Sequence, residues 1–205
     1  MLTVCTLLWD ANARSHDFSR HYTEADVEKL YRGFKRHLTR PFQFVCFTDR
    51  EREFSEPVAQ VRISAETPDY GTCIEPYRMG VPMILAGLDT VVTGNCDHLA
   101  DWCMVERDCI ALPRDPYKPH IACNGVALVP GGMERIGFEH DGANDMEHVR
   151  RYPHVFMDDE WPGHVVSYKG AVKRNGLGDA RIVYFHGQEK PHQLAGVGWI
   201  EREWV

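Results

Sequence analysis

Asp89 is the first residue whose type and position in the sequence suggest chemistry. It is the single acid within the apolar stretch Met83–Gly94, which has the composition of a central strand covered on both faces. A buried carboxylate is costly unless it is paired or binds a metal ion, and ligands bind open α/β sheets beyond the carboxyl ends of strands. Asp89 is therefore a candidate metal ligand; the alternative is a cap of the turn towards Gly94 and Asn95.

His186 begins a second candidate segment. It follows the apolar run Val183–Phe185 and precedes Gly187, Lys190 and Pro191. Imidazole is a common nitrogen ligand of transition metals, and a lysine ammonium is a compact charge that suits phosphate oxygens. Combined with the acid of the central strand, the segment predicts an Asp/His metal site with a phosphate-binding lysine. Taken alone, it also fits a histidine that is satisfied in the core or at the surface.

Three further positions are candidates for ligand binding, and each has a structural alternative. Asn144 and Asp145 have the pattern of a helix N-cap. Gly125, which follows Asn124 in an apolar strand, favours either the close approach of another backbone or of a ligand, or a β-bulge. Lys169 follows a predicted strand and is either a solvated charge or a second contact for an anion.

The composition is that of an ordinary globular protein and argues against several functional classes. The 205 residues include 23 Lys and Arg against 30 Asp and Glu, a net charge of −7, which disfavours nucleic acid as a partner. The seven cysteines form no C-x-x-C pair, so reduced thiols are expected rather than disulfides or zinc. No apolar run reaches the about 20 residues of a membrane span, and residues 1–10 lack the pattern of a signal peptide. We therefore expect a cytoplasmic protein.

The elements that must position these residues have the pattern of an α/β protein. A Thr23–Asp26 capping box precedes apolar residues at helical spacing, and Pro41 ends the helix. Residues 10–22 are polar and predict a loop. Strands are predicted at Leu2–Leu8, Phe42–Thr48, Val58–Ile63, Met83–Gly94, Cys109–Leu112, Ala122–Val129, Val165–Tyr168 and Ile182–Phe185. A single domain over residues 1–205 is the expected organisation, with a mostly parallel central sheet flanked by helices.

In this order, the motifs resemble those of nucleotide-sugar glycosyltransferases of the GT-A fold, in particular the glycogenin-like and galactosyltransferase-like group and its bacterial and phage relatives. The pair formed by L-D-T-V-V-T-G and the later F-H-G-x-x-K-P is more specific than either half. The similarity covers nearly the whole chain through residues 3–9, 27–38, 47–49, 88–94, 124–126, 144–145, 166–169 and 185–191.

The resemblance implies a GT-A-like nucleotide-diphospho-sugar transferase fold and an enzyme of the hexosyltransferase type, with a UDP-sugar as the donor. It implies that Asp145 is a catalytic residue that contacts the transferred sugar, and that Asp89 and His186 bind Mn²⁺ or Mg²⁺. Contacts with the nucleotide or the sugar are implied for Trp9, Tyr22, Arg78, Leu88, Asn124, Gly125, Lys169, Gly187 and Lys190.

Two positions depart from the family's pattern. Gly87 stands where the metal-binding Asp-x-Asp motif has its first acid, and Met146 stands where an Asp-Gln motif has Gln. Loss of a carboxylate lowers the charge and the ligand number on which hard cations depend. One interpretation keeps the ion on Asp89 and His186, with further oxygens from the donor diphosphate. The other has basic side chains neutralise the diphosphate, namely Arg78, Lys169 and Lys190.

The sequence thus predicts transfer of a sugar from a nucleotide diphosphate donor to an acceptor that the pattern does not identify. The rival hypothesis is a catalytically degenerate module that binds a nucleotide sugar, and the changes at Gly87 and Met146 motivate it. A nucleotidyltransferase ranks last, because residues 10–14 contain no glycine and a single arginine after the first strand.

Overall fold

Two β-sheets form the core of the protein, and helices cover them. The computed structural model describes residues 1–194 and 196–205. Its strands are β1 (Leu2–Leu8), β2 (Phe42–Thr48), β3 (Val58–Arg62), β4 (Met83–Ala86), β5 (Thr90–Val92), β6 (Ile110–Leu112), β7 (Val126–Val129), β8 (His154–Phe156), β9 (Val165–Ser167) and β10 (Ile182–Tyr184). Its α-helices are α1 (His16–Ser19), α2 (Glu24–His37), α3 (Asp97–Cys103), α4 (Glu134–Phe138), α5 (Asp145–Val149), α6 (Met157–Glu160), α7 (Lys173–Asn175) and α8 (Gly198–Glu203). The 3₁₀ helices are Tyr70–Met79 and Pro191–Gln193, and Tyr168–Val172 is a π-helical turn.

Within the described residues, the large sheet has the order β3-β2-β1-β4-β7-β6-β8. Strands β3, β2, β1 and β4 run parallel to their neighbours, whereas β7 is antiparallel to both β4 and β6, and β6 is parallel to β8. The small sheet has the order β5-β10-β9. This mostly parallel sheet flanked by helices confirms the predicted α/β fold.

Strong local sequence signals mark the helix that packs against the first half of the large sheet. The backbone N–H of Thr23 donates to the Asp26 carboxylate over 2.8 Å, so α2 begins at the predicted capping box. Val27, Leu30 and Phe34 of α2 are buried in the core. Each such side chain stabilises the fold by about 1.5–3 kcal/mol, which holds the helix against the sheet.

The predicted central strand Met83–Gly94 is divided in two, and this corrects the sequence-based prediction. β4 pairs with β1 and β7 of the large sheet, whereas β5 pairs with β10 of the small sheet. Residues 87–89 form the connection between them. The apolar composition is the same on both sides because both pieces are buried, so it could not indicate the change of sheet. Asp89 consequently lies in a turn between two strands rather than within one.

Several other local features differ from, or add to, the predicted elements. The predicted loop 10–22 contains the short helix α1, and β7 is shorter than expected, which leaves Asn124 and Gly125 in the segment before it. All seven cysteines are free thiols. In the described part of the chain, no helix has both the length and the apolar character needed to cross a membrane.

Candidate active site

A cavity of about 560 Å³ opens where the large and small sheets meet. Four segments at strand ends contribute to its wall: Trp9 after β1, residues 87–89 after β4, Asn124–Gly125 before β7, and residues 185–187 after β10. Ligands of open α/β sheets bind in the crevice beyond the carboxyl ends of the strands. The cavity is therefore the candidate site.

Strand pairing brings Asp89 and His186 to the same wall. β5 is antiparallel to β10 with Thr90 opposite Tyr184, and the backbone N–H of Phe185 donates to the carbonyl of Asp89 over 2.9 Å. The residue before β5 and the residues after β10 are thus neighbours, although they are far apart in the sequence. Both Asp89 and His186 line the cavity.

Lys190 forms an ion pair with Asp89 in this wall. Its Nζ donates to Asp89 Oδ2 and lies 3.3 Å from the backbone oxygen of Phe185. The Lys190 and Asp89 side chains are 11% and 21% exposed, so the pair is only partly screened by water. The carboxylate predicted to bind a metal ion is thus paired with an ammonium.

His186 has a different partner, because β9 lies parallel to β10 with Ser167 opposite Tyr184. Ser167 Oγ and His186 Nε2 share a hydrogen bond of 2.7 Å, and the Gly170 N–H donates to the same Oγ over 3.0 Å. Burial, followed by the charges of two nearby lysines, lowers the pKa of His186 below its usual 6.5. The imidazole is therefore neutral at neutral pH.

Asn124 and Asp145 form the polar part of another wall. Asn144 Oδ1 accepts the N–H of Met146 over 3.2 Å and caps α5, which places Asp145 in the first turn. Asn124 Nδ2 donates to Asp145 Oδ2 over 3.0 Å. Burial raises the pKa of Asp145, although the Asn124 amide and the Met146 N–H act in the opposite direction. The buried Oδ1 of Asn124 has no hydrogen-bond partner among the described residues, which suits a ligand hydroxyl.

Aromatic side chains form much of the remaining wall. The Phe18 and Tyr70 rings stack with centroids 3.9 Å apart, and Trp9 meets Phe18 edge to face at 5.9 Å. Trp9 Nε1 donates to Ser15 Oγ over 3.0 Å, which fixes its ring. Such a surface can stack against a planar base or the apolar face of a sugar.

The structure brings most of the predicted site residues together. Those that line the cavity are Trp9, Tyr22, Leu88, Asp89, Asn124, Gly125, Asp145, His186, Gly187 and Lys190. Lys169 lies just behind this wall, with its Nζ 3.5 Å from the position that a Cβ on Gly187 would take.

Arg78 is the exception, and its predicted contact with the donor has no support in its position. Its Nε donates to the carbonyl of Gly137 over 3.2 Å and its Nη1 to Ser64 Oγ over 3.0 Å, outside the cavity. A Cβ on Gly137 would lie 2.5 Å from Arg78 Cγ, so close packing against α4 holds the side chain there.

Several residues of the site were not identified from the sequence. Tyr184 could have been identified from the sequence. Side chains two residues apart in a strand lie on the same face, and His186 follows Tyr184 at that spacing. Ser167 ends β9 two residues before Lys169, and a role was predicted for Lys169 alone. Phe18, Tyr70 and Tyr117 line the cavity from irregular or short helical segments, where no periodic pattern marks them.

The donor atoms as arranged do not fit a resident divalent ion. Asp89 binds Lys190, and His186 Nε2 binds Ser167. Across residues 1–194 and 196–205, no group of three or more His, Cys, Asp or Glu side chains is placed to hold a metal. Hard divalent cations need several oxygen ligands. Binding of Mn²⁺ or Mg²⁺ by Asp89 and His186 stays a prediction.

Comparison with known proteins supports a glycosyltransferase fold. No family model and no curated protein matches the sequence. In structure, the chain is similar to the glycosyltransferase GlyE of Streptococcus pneumoniae TIGR4, with a TM-score of 0.61 and 13% identity over 97% of this chain and 59% of that one. The apo form of GlyE gives a TM-score of 0.60 at the same identity and coverage. The chain thus spans about three fifths of the length of GlyE, and at this identity the likeness concerns the fold.

Proposed function

We propose that this protein is a GT-A-like glycosyltransferase that moves a hexose from a nucleoside diphosphate sugar, with UDP as the carrier, to an acceptor hydroxyl. One observation carries the proposal: an acid with its amide partner and a lysine face one cavity at the strand ends of a glycosyltransferase-type fold. The free cysteines support a reducing, cytoplasmic setting.

The reaction breaks the bond between the anomeric carbon and a diphosphate oxygen, and the electron pair stays on the diphosphate. The acceptor oxygen forms the new bond to that carbon, and its proton passes to the diphosphate or to solvent. Negative charge grows on the leaving group, so a fixed cation at Lys190 favours the transition state. Asp145 lines the same cavity beside Asn124 and stabilises the positive charge that develops on the sugar.

Release of free UDP from a panel of UDP-hexoses, with water or an added sugar as the acceptor, tests the proposal. We expect turnover by the unaltered protein and a loss of about 100-fold or more in Asp145→Asn, because the substituted amide carries no charge. Asp141→Asn is the matched control, since Asp141 is an exposed acid paired with Arg151 outside the cavity. Absence of both UDP binding and UDP release across the panel would refute the proposal.

A second candidate function is a module that binds a nucleotide sugar without transferring it. Gly87 and Met146 favour it, because both replace polar residues of the family's motifs. The same assay separates the two functions. UDP binding by the unaltered protein, without release of UDP from any donor or acceptor pair, would favour the module.

A further inference from the structure

The ion pair between Lys190 and Asp89 occupies the place where the family's pattern puts a metal ion. The Lys190 ammonium contacts the Asp89 carboxylate and the backbone oxygen of Phe185, two oxygens that a hard cation would also bind. An opposite charge in contact neutralises a partly buried carboxylate. Asp89 therefore has little attraction left for a second cation.

Gly87 is consistent with this arrangement. A Cβ built on Gly87 would lie 2.8 Å from Asp89 Oδ1, closer than unbonded atoms of these types approach. The Asp89 side chain thus fills the space that an acid at position 87 would need. The glycine at position 87 therefore leaves room for the Asp89 side chain in the orientation that it adopts, towards Lys190.

Lys169 adds a second positive charge next to this pair. Its Nζ would lie 3.5 Å from a Cβ on Gly187, and Gly187 itself lines the cavity at a φ of 62°. Lys173, the next lysine along the chain, is already paired with Glu189 over 2.6 Å. Asp115 also lines the cavity, but its carboxylate is paired with Arg150 at 3.7 Å. With Asp89 neutralised by Lys190, the charge of Lys169 is the one near Gly187 that no ion pair among the described residues balances, so this part of the wall is positive. A diphosphate is the ligand chemistry that such a wall suits.

We propose that Lys190, oriented by Asp89, takes the place of the divalent cation, so that the site binds a nucleoside diphosphate and supports its release as a leaving group without a metal ion. This inference rests on the proposed function and identifies how its donor is held. Asp89 is a positioning residue in this arrangement, because it acts on the diphosphate through Lys190.

Calorimetry with UDP, in excess EDTA and in millimolar Mn²⁺, tests the inference on the full chain. We expect the same affinity in both conditions. Lys190→Met keeps the length of the side chain but removes a charge-assisted contact, and should weaken UDP binding about 10- to 100-fold in both. Lys190→Arg keeps the charge and should retain part of the affinity. Asp89→Asn should weaken binding by the same factor with and without Mn²⁺, since it disturbs the lysine and removes no metal ligand.

Lys35→Met is the matched control. Lys35 is an exposed lysine of α2, 4.0 Å from Glu56 and outside the cavity, so the change in net charge is equal and UDP affinity should not change. Thermal unfolding of each variant checks that it folds. UDP binding or donor turnover that requires Mn²⁺ would overturn the inference and leave the proposed function standing. A Lys190→Met protein that binds UDP with the affinity of the unaltered chain would also overturn the inference. Failure of the unaltered chain to bind UDP in either condition would instead count against the proposed function.

Discussion

At the scale of single residues, ionisation of Asp145 has opposite effects on the proposed function and on the stability of the fold. Its side chain is buried, and burial raises its pKa above the usual 3.8. A carboxyl with a raised pKa in the folded state stabilises the fold below its unfolded pKa, and that stabilisation is lost as the pH rises through the folded value. The charged form that the proposed sugar transfer needs is thus the form that destabilises the fold.

We therefore expect Asp145→Asn to be more stable than the unaltered protein at neutral pH, while sugar transfer is lost. The gain should shrink at acid pH, where the unaltered Asp145 is itself protonated. Urea unfolding at two pH values measures the gain. UDP affinity should not change, because UDP lacks the transferred hexose that Asp145 is proposed to contact. A stability gain independent of pH would contradict the assignment of a raised pKa.

The activity of the unaltered protein should show the same ionisation. If the carboxylate form of Asp145 is required, the acid limb of the profile of kcat/KM against pH lies above the usual 3.8 of an aspartate, because the raised pKa moves it upwards. Turnover of a UDP-hexose across acid pH measures this limb. A profile that stays flat down to the ordinary aspartate range would show that Asp145 does not act as a charged group.

At the scale of elements, close packing between β7 and β10 sets the shape of the cavity. A Cβ on Gly125 would lie 2.7 Å from Cδ2 of Tyr184. Tyr184 cannot easily move away, because it is buried, its OH donates to the carbonyl of Arg114 over 3.3 Å, and its backbone pairs with Thr90 and Ser167. The nearby Tyr184 ring thus accounts for the glycine at position 125, and contact of Gly125 with a ligand stays a prediction.

Gly125→Ala should therefore lower the free energy of unfolding by about 1–3 kcal/mol, the usual cost of inserting a methyl group into a packed core. It should also weaken UDP binding, because a displaced Tyr184 moves the end of β10 that carries His186. Gly198→Ala is the control: its Cβ would meet no described atom within 4 Å, so stability should stay within about 0.5 kcal/mol. Equal urea midpoints for the two variants would contradict the close contact.

Local patterns predicted the elements, whereas long-range pairing decided where they meet. The Thr23–Asp26 capping box and the apolar residues of the predicted strand Phe42–Thr48 are short-range signals, and the structure confirms both elements. The break at residues 87–89 depends on the pairing of β5 with β10, which nothing in the apolar run encodes locally. The sequence could not indicate the position of Arg78 outside the cavity for a similar reason, because that position depends on packing against Gly137.

At the scale of the whole molecule, a second set of carboxylates responds to pH in the opposite direction. The Arg52 side chain, 2% exposed, binds Asp10 after β1, Asp49 after β2 and Glu24 at the start of α2, over 2.6–2.9 Å. A hydrogen bond from Arg50, with Arg52 assisting, lowers the pKa of Asp10. Burial raises the pKa of Glu24, but its own backbone N–H and Arg52 lower it overall. These groups stabilise the fold above their unfolded pKa values and cease to do so as the pH falls through the folded ones.

Arg52→Met should lower the free energy of unfolding by about 2 kcal/mol at neutral pH, less than the 3–5 expected for a fully buried pair because the carboxylates are partly exposed. The loss of stability should become smaller at acid pH, because protonated carboxyl groups no longer form ion pairs with the guanidinium. Arg40→Met removes the same charge from a pair with Asp101 in which both side chains are about half exposed, and should lower stability much less than Arg52→Met does. Urea unfolding at neutral and acid pH compares them. Removal of a buried ion-pair network should lower stability more than removal of an exposed pair. Equal urea midpoints at neutral pH would therefore mean that Arg52 does not stabilise the contact between α2 and the ends of β1 and β2.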